Sequence, residues 1–258
     1  IEKKIKEPLV PLHIFKSPLV LGANLVTLFL YFALNGIIFF LILNLQQLQQ
    51  YSPIAAGLSM LPTILLITFI SGPAGSLSDR IGPRKPMIIG PILVSLGIIW
   101  LFFMGVNVNY FTGVLPGLLL FGLGMSLVIA PLTKSSLDVD TKYSGAASGV
   151  NNAISRIASL LAIALLGAIM VTTFSAELNK NIIKTDLTTS QQQQIIEQRD
   201  RLGDIQIPTT FDTASQQTAE ETIDTAFLYA FKVVMGISAT LALLGALVSF
   251  IMIRNKEE

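Results

Sequence analysis

The sequence of 258 residues contains no cysteine, one histidine (His13) and few charges, which make up 13% of its residues. Without cysteine, disulfides, thiolate metal ligands and a cysteine nucleophile are excluded. The formal net charge of +1 offers no concentrated basic face for nucleic acid. Soluble domains carry about twice this share of charge, whereas 52% of these residues are hydrophobic and the mean hydropathy is +0.68. The composition is that of an integral membrane protein.

Acidic residues are missing from four long stretches, which are residues 17 to 78, 86 to 137, 141 to 176 and 225 to 256. These stretches therefore offer no carboxylate that could carry a proton at mid-depth in a membrane. A membrane-embedded enzyme would need Asp, Glu, His or Ser side chains that converge at one depth. We expect neither an enzyme nor a metal or cofactor site, and we place His13 at the membrane interface.

Apolar runs occur six times, at about residues 18 to 44, 54 to 76, 87 to 106, 111 to 133, 145 to 173 and 227 to 253. At about 1.5 Å per residue, each run is long enough to cross a hydrocarbon core of about 30 Å as a helix. Membrane strands would be about ten residues long and would alternate in polarity, and these runs do neither. The sequence predicts an all-α membrane protein with six transmembrane helices.

Basic connections alternate along the chain with connections that carry no charge. Lysine and arginine lie in the lead-in at 1 to 17, the turn at 77 to 86, the loop at 134 to 144 and the tail, whereas the loops at 45 to 53 and 107 to 110 carry no charge. By the positive-inside rule, both termini are cytoplasmic. The chain starts with Ile1 and shows no signal-peptide pattern, which we interpret as a fragment or a processed product.

A polar segment at 174 to 226 separates the first five helices, at 18 to 173, from the sixth helix and cytoplasmic tail at 227 to 258. It is too long for an ordinary connection. We expect a mobile extracytoplasmic loop with one or two surface helices, one of them capped by Ser190 and ending near Leu202. About fifty polar residues supply little core, so no catalytic or ligand-binding domain is expected there.

Polar residues follow one face of the first helix. Their spacings of three, four and four place Asn24, Thr27, Tyr31 and Asn35 on a single stripe. Such a stripe serves either interhelical hydrogen bonds or the wall of an aqueous cavity. We favour the cavity, because two amides and a phenol on one stripe exceed what packing alone usually recruits.

The fifth helix opens with small and polar residues. Gly145 and Gly149 form a pair that permits close approach of another helix. Arg156 is the one charge well inside this span, and it either extends to the cytoplasmic surface or binds an anion or a carboxylate of a partner helix. We favour burial against a partner. A second polar stripe runs along this helix through Ser148, Asn152, Ser155 and Ser159.

The turn between the second and third helices carries a glycine-bracketed charged motif, formed by Gly75, Leu77, Asp79, Arg80, Gly82, Arg84 and Lys85. This motif resembles the cytoplasmic-loop signature of the major facilitator superfamily. Further stretches resemble the C-terminal half of fourteen-span drug/proton antiporters in that family, namely 30 to 34, 46 to 49, 51 to 62 and 147 to 152.

The resemblance implies one six-helix half of such a transporter, built as two inverted three-helix repeats. It also implies export of small amphipathic molecules by alternating access, coupling to protons, a cell-membrane location and a missing N-terminal half as partner. The family's embedded acid and antiporter signature lie in that other half. Since the first and fourth helices of each half line the family's cavity, Phe121 and Met125 are nominated beside the polar stripe and Asn152.

The resemblance also assigns the charged turn to gating, through Gly75, Asp79, Arg80, Gly82, Arg84 and Lys85. Asp79 would sit at a helix N-terminus or beside an arginine and latch the cytoplasmic side in one conformation. Pro83 and Pro86 depart from the family pattern and stiffen the turn. Two alternatives stay open, which are a non-transporting membrane sensor or assembly partner and an exporter of siderophores, lipids or peptides.

Overall fold

The structure, a computed structural model, describes residues 15 to 253. All regular structure in this part of the chain is helical. The predicted lead-in up to residue 14, with His13, and the tail from residue 254 lie outside the described residues. The helices are α1 (Pro18–Gln47), α2 (Pro53–Leu58), α3 (Leu61–Ile81), α4 (Arg84–Phe102), α5 (Leu115–Ser136), α6 (Ser144–Ile182), α7 (Thr189–Ile196) and α8 (Thr213–Met252).

Six helical segments in the described residues are long and apolar enough to cross a membrane, as predicted. The short α2 continues almost directly into α3, so that Pro53–Ile81 counts as one crossing, and a π-helical turn at Tyr110–Val114 leads into α5. The predicted bounds differ most beside the polar segment. There α6 continues past residue 173 to Ile182, and α8 begins at Thr213, well before residue 227.

Local chemistry accounts for the helix ends. The Ser17 hydroxyl accepts a hydrogen bond from Val20 N at 3.4 Å at the start of α1, where Pro18 supplies the pre-set backbone angle. At the start of α8, Asp212 Oδ1 accepts from Ser215 N at 3.3 Å, and hydrogen bonding to Ser215 lowers the pKa of this carboxyl. Gly82 ends α3 with a φ of 82°, a conformation that favours glycine.

The packing of the long helices follows an internal symmetry. The helix α1 packs on α8 and α6, α5 packs on α4 and α3, and α4 packs on α8. Exchanging α1 with α5, α3 with α6 and α4 with α8 leaves this set of contacts unchanged. The one departure is that α6 packs along α8, whereas α3 barely touches α4. Since three crossings separate the matching helices, the two repeats run in opposite directions, as predicted.

Glycines set the contact between α4 and α5. A Cβ built on Gly97 would lie 2.6 Å from Gly117 O, and one built on Gly124 would lie 2.6 Å from Gly90 O. Both helices space these glycines seven residues apart, which is about two helical turns. The two antiparallel backbones therefore meet at two levels where no side chain fits.

The polar segment contributes more core than predicted. The part between α6 and α8 covers only residues 183 to 212, and it buries five large apolar side chains, Leu187, Ile195, Leu202, Ile205 and Phe211. The predicted helix from Ser190 to Leu202 was wrong. Thr188 caps α7 instead, in a reciprocal capping box with Gln191, and a separate 3-10 turn at Arg199–Asp204 carries Leu202.

Candidate functional site

The polar stripe of α1 forms side-chain hydrogen bonds with α6, and this line of contacts is here named the seam. Asn151 Nδ2 on α6 donates to Asn24 Oδ1 at 3.2 Å and to Thr27 Oγ1 at 2.9 Å. Asn24 is 3% exposed and Thr27 is 0% exposed. These two residues therefore do not line an open cavity in this structure, and the alternative of interhelical hydrogen bonds describes them.

The seam continues farther along both helices. Asn35 Nδ2 donates to Ser159 Oγ at 2.7 Å and to Tyr31 O at 2.8 Å. Ser159 Oγ in turn donates to Ser155 O on its own helix at 2.8 Å. Tyr31 and Asn35 are only half-buried. Of the four predicted cavity residues, only these two retain exposed surface in this structure.

The face of α6 that points away from the seam is open in its N-terminal part. Asn152 and Arg156 are exposed there, and a Cβ built on Gly145 or Gly149 meets nothing within 4 Å. Arg156 lies about 160° around the helix from the buried Ala158, on the far side from the core. Among the described residues no helix packs against Arg156 or the glycine pair, so the burial of Arg156 and the close approach at the glycines stay predictions.

Phe121 and Met125 do not join this open surface. They are 1% and 2% exposed and belong to the core of the helix bundle. Phe121 N and Cα lie 2.7 and 3.1 Å from a Cβ built on Gly97, so this part of α5 presses directly on α4. The structure therefore gives both residues a packing role in place of the predicted cavity role.

The charged turn joins α3 to α5 through Asp79. Lys134 Nζ, in the last turn of α5, donates to Asp79 Oδ1, and 73% of the Lys134 side chain and 58% of the Asp79 side chain are exposed. The predicted position at a helix N-terminus or beside an arginine was wrong. Asp79 lies instead in the last turn of α3, where the helix dipole opposes a negative charge. Such an exposed pair contributes about 0 to 1 kcal/mol.

The other residues predicted for gating lie near Asp79 but make separate contacts. Arg84 Nη2 donates to Phe250 O at 3.4 Å, and its guanidinium lies 5.6 Å from the centre of the Phe250 ring. This contact ties the start of α4 to the end of α8. Gly75 faces α5, since a Cβ built there would lie 3.0 Å from Ala130 Cβ. Arg80 and Lys85 are exposed.

Two contributors were missed as site residues. Lys134 lies in the basic loop at 134 to 144, and the rule that predicts a cytoplasmic position for this loop also predicts that Lys134 lies near the level of Asp79. Asn151 lies in the stretch at 147 to 152 that resembles the family, but the prediction names its neighbour Asn152. The two are neighbours on a helix, 100° apart, so the polar composition of α6 did not distinguish them.

A family model described as Major Facilitator Superfamily matches residues 2–163. The chain also resembles a solved structure of a bacterial homolog to the human lysosomal transporter Spinster in an inward-facing, unoccupied conformation. The TM-score is 0.63 at 18% identity, and the match covers 95% of this chain and 52% of that chain. At this identity the likeness concerns the fold.

Curated relatives include drug-resistance proteins. The chain is 29% identical over 183 residues to the "Multidrug resistance protein Stp" of Mycobacterium tuberculosis, covering 70% of this chain and 34% of that protein. It is 31% identical over 166 residues to the "Lincomycin resistance protein" of Streptomyces lincolnensis, covering 64% and 34%. It is 27% identical over 177 residues to the "Tetracenomycin C resistance and export protein" of Streptomyces glaucescens, covering 66% and 31%. The matched part spans about a third of each relative.

Proposed function

The chain belongs to the major facilitator superfamily, and we propose that it forms the C-terminal half of an exporter of small amphipathic molecules. Its six membrane-crossing helices cover about half of the solved transporter, and the drug-resistance relatives are about three times as long as the part they share with it. The names of these relatives support the proposal, since all three state drug resistance and that of the Streptomyces glaucescens protein also states export. Proton coupling and alternating access follow from kinship with the family.

The observation that carries this proposal is the open polar face of α6. A charged side chain at the centre of a membrane helix costs about 2.5 to 3.5 kcal/mol when it meets lipid. Arg156 is exposed, and no ion pair or hydrogen bond to it occurs among residues 15 to 253. Together with Asn152 and the two exposed glycines, it forms a surface that lipid covers poorly. We propose that this face borders the substrate path and the N-terminal half.

The cytoplasmic turn supports a gate that opens and closes. The Asp79 to Lys134 pair and the Arg84 to Phe250 contact link four helices at one end of the bundle, which we place on the cytoplasmic side. Both contacts are exposed at the surface, so each is weak and easily broken. A contact of this strength can hold one conformation briefly and be re-formed in every cycle. Both termini are proposed to lie on the same side, with the protein in the cell membrane.

Cysteine labelling tests the proposed path. The chain has no cysteine, so an Asn152→Cys variant of the complete transporter, made free of other cysteines, reports on one position. We expect a membrane-impermeant maleimide to label it, because a thiol reacts as thiolate and needs water. The matched control is Ile157→Cys, which is 52% exposed, lies about 140° around the same helix from position 152, and which we assign to lipid. Equal labelling of both positions, or labelling of Ile157→Cys alone, would contradict the proposed path.

A further inference from the structure

The end of α1 remote from the charged turn is fastened to the segment 183 to 212, here named the strap. Gln47 Oε1 accepts a hydrogen bond from Gly203 N at 3.1 Å, and Gln47 Nε2 donates to Arg201 O at 3.4 Å. A Cβ built on Gly203 would lie 3.0 Å from Gln47 Cβ and 3.2 Å from Phe227 Cδ2. The strap therefore seats Gly203 between α1 and α8.

A second glutamine fastens the same end of α1 on another side. Gln49 Nε2 donates to Gly105 O at 2.9 Å, and Gln49 Oε1 accepts from Val108 N at 2.9 Å. Both acceptor and donor belong to the connection between α4 and α5. Gln47 therefore ties the end of α1 to the strap, and Gln49 ties it to the connection between α4 and α5.

The strap contact contains a strained residue. Leu202, which precedes Gly203, has φ 59° and ψ −126°, although it is not glycine. Its side chain is 9% exposed and packs with the core. Backbone in this region is unfavourable for a branched side chain and persists only where the surroundings hold it. The seated strap therefore imposes this conformation on Leu202.

A buried polar group lies one turn away. Asn44 is 0% exposed, and neither its Nδ2 nor its Oδ1 has a hydrogen-bond partner among the described residues. It precedes Gln47 by three positions and so lies on a neighbouring part of the same helix face. Buried polar groups of native proteins are nearly always paired, and an orphan is costly. The closed end of α1 thus holds a second unfavourable feature beside the first.

We infer that the strap is a conformational latch that opens during the transport cycle and admits water to the end of α1. Apolar anchors hold it closed, while the strained Leu202 and the unpaired Asn44 both favour its opening. We take both costs to be relieved on opening, so small changes in this contact would shift the balance between closed and open forms. This inference rests on the proposed transport function for its role in the cycle.

The first test measures opening without transport. In the Ile205→Cys variant, the new thiol replaces a buried side chain of the strap and is protected when the strap is closed. We expect Asn44→Leu to slow its modification by a water-soluble maleimide roughly fivefold or more, because this substitution removes the buried polar orphan and favours the closed form. Leucine has the same number of side-chain heavy atoms as asparagine and the same branching at Cγ, so the substitution removes polarity and keeps the shape. An unchanged or faster modification rate would overturn the inference.

The second test uses a reversible cross-link in the complete transporter. Gln47→Cys and Gly203→Cys would bring two Cβ atoms to 3.0 Å, and an outward shift of roughly half an ångström gives the Cβ separation of a disulfide, about 3.5 to 4.5 Å. We expect oxidation to cross-link them and to reduce export at least tenfold, with recovery on reduction, while each single variant is unaffected by oxidant. Failure to cross-link, or export at the same rate in the oxidised and reduced forms, would refute the latch. Absence of export before any substitution would refute the proposed function instead, and the maleimide test would still decide the latch.

Discussion

The glycine contact between α4 and α5 gives the sharpest quantitative prediction. Alanine at position 97 would bring its Cβ to 2.6 Å from Gly117 O, 2.7 Å from Phe121 N and 3.1 Å from Phe121 Cα. All three are backbone atoms, so no side-chain rotation relieves the contact and the two helices must separate locally. Overpacking of this kind costs about 1 to 3 kcal/mol.

A matched control removes the effect of helix propensity. Alanine is favoured over glycine in a helix interior by about 0.8 to 1.0 kcal/mol, and this gain applies equally to Gly97→Ala on α4 and Gly167→Ala on α6. A Cβ built on Gly167 meets nothing within 4 Å. We therefore expect Gly97→Ala to be less stable than Gly167→Ala by about 1 to 3 kcal/mol, which corresponds to a Tm that is lower by roughly 2 to 4 °C for each kcal/mol.

Tryptophan fluorescence provides the assay. Trp100 is the one tryptophan of the sequence and lies three residues beyond Gly97 on α4. Its Nε1 donates a hydrogen bond to Gly113 O at 3.1 Å. Unfolding of the purified chain in detergent would separate this pair and change the emission, with circular dichroism reporting helix content in parallel. Equal stability of the two variants, or a more stable Gly97→Ala, would refute the close backbone contact.

Three further predictions concern the gate, the seam and a helix cap. We expect Asp79→Asn to leave membrane insertion intact and to slow export. The exchanged pair, Asp79→Lys with Lys134→Asp, should restore part of the export rate. Unchanged export by Asp79→Asn would contradict the gating hypothesis. We expect Asn151→Leu to destabilise the α1 to α6 contact by about 1 to 3 kcal/mol and Asn152→Leu to have little effect, measured by thermal unfolding. The pKa of the Asp212 carboxyl is lowered on folding. The stabilisation of the folded state by this carboxylate is therefore present at pH values above its pKa in the unfolded chain and is lost as pH falls through its pKa in the folded protein. Hydrogen exchange in the first turn of α8 would detect this loss.

The membrane crossings were predictable because hydropathy acts on whole runs of residues. Helix ends outside the membrane were not, since the extensions of α6 and α8 are polar in composition and reveal their buried faces only by packing against each other. Residues such as Leu178 and Ile223 are buried there although the segment as a whole is hydrophilic. Average polarity therefore misjudged a segment in which a few well-spaced apolar side chains carry the packing.

Individual site residues were less predictable than the helices that carry them. The spacing of Asn24 and Thr27 correctly placed them on one face, but only the neighbouring helix decided whether that face met water or Asn151. The same holds for Asp79, because a partner that lies 55 positions away in sequence leaves no local signal. Phe121 and Met125 were nominated from family position alone, which does not specify the direction of a side chain.

The length of α8 gives the protein a built-in indicator of motion. Its 40 residues form one continuous helix, about 60 Å long, whereas the hydrocarbon core is about 30 Å thick. A rotation of roughly 10° about its Met252 end would move its Thr213 end through about 10 Å. Paired spin labels near Thr213 and on the proposed N-terminal half would convert a small rotation into a displacement that pulsed resonance spectroscopy resolves.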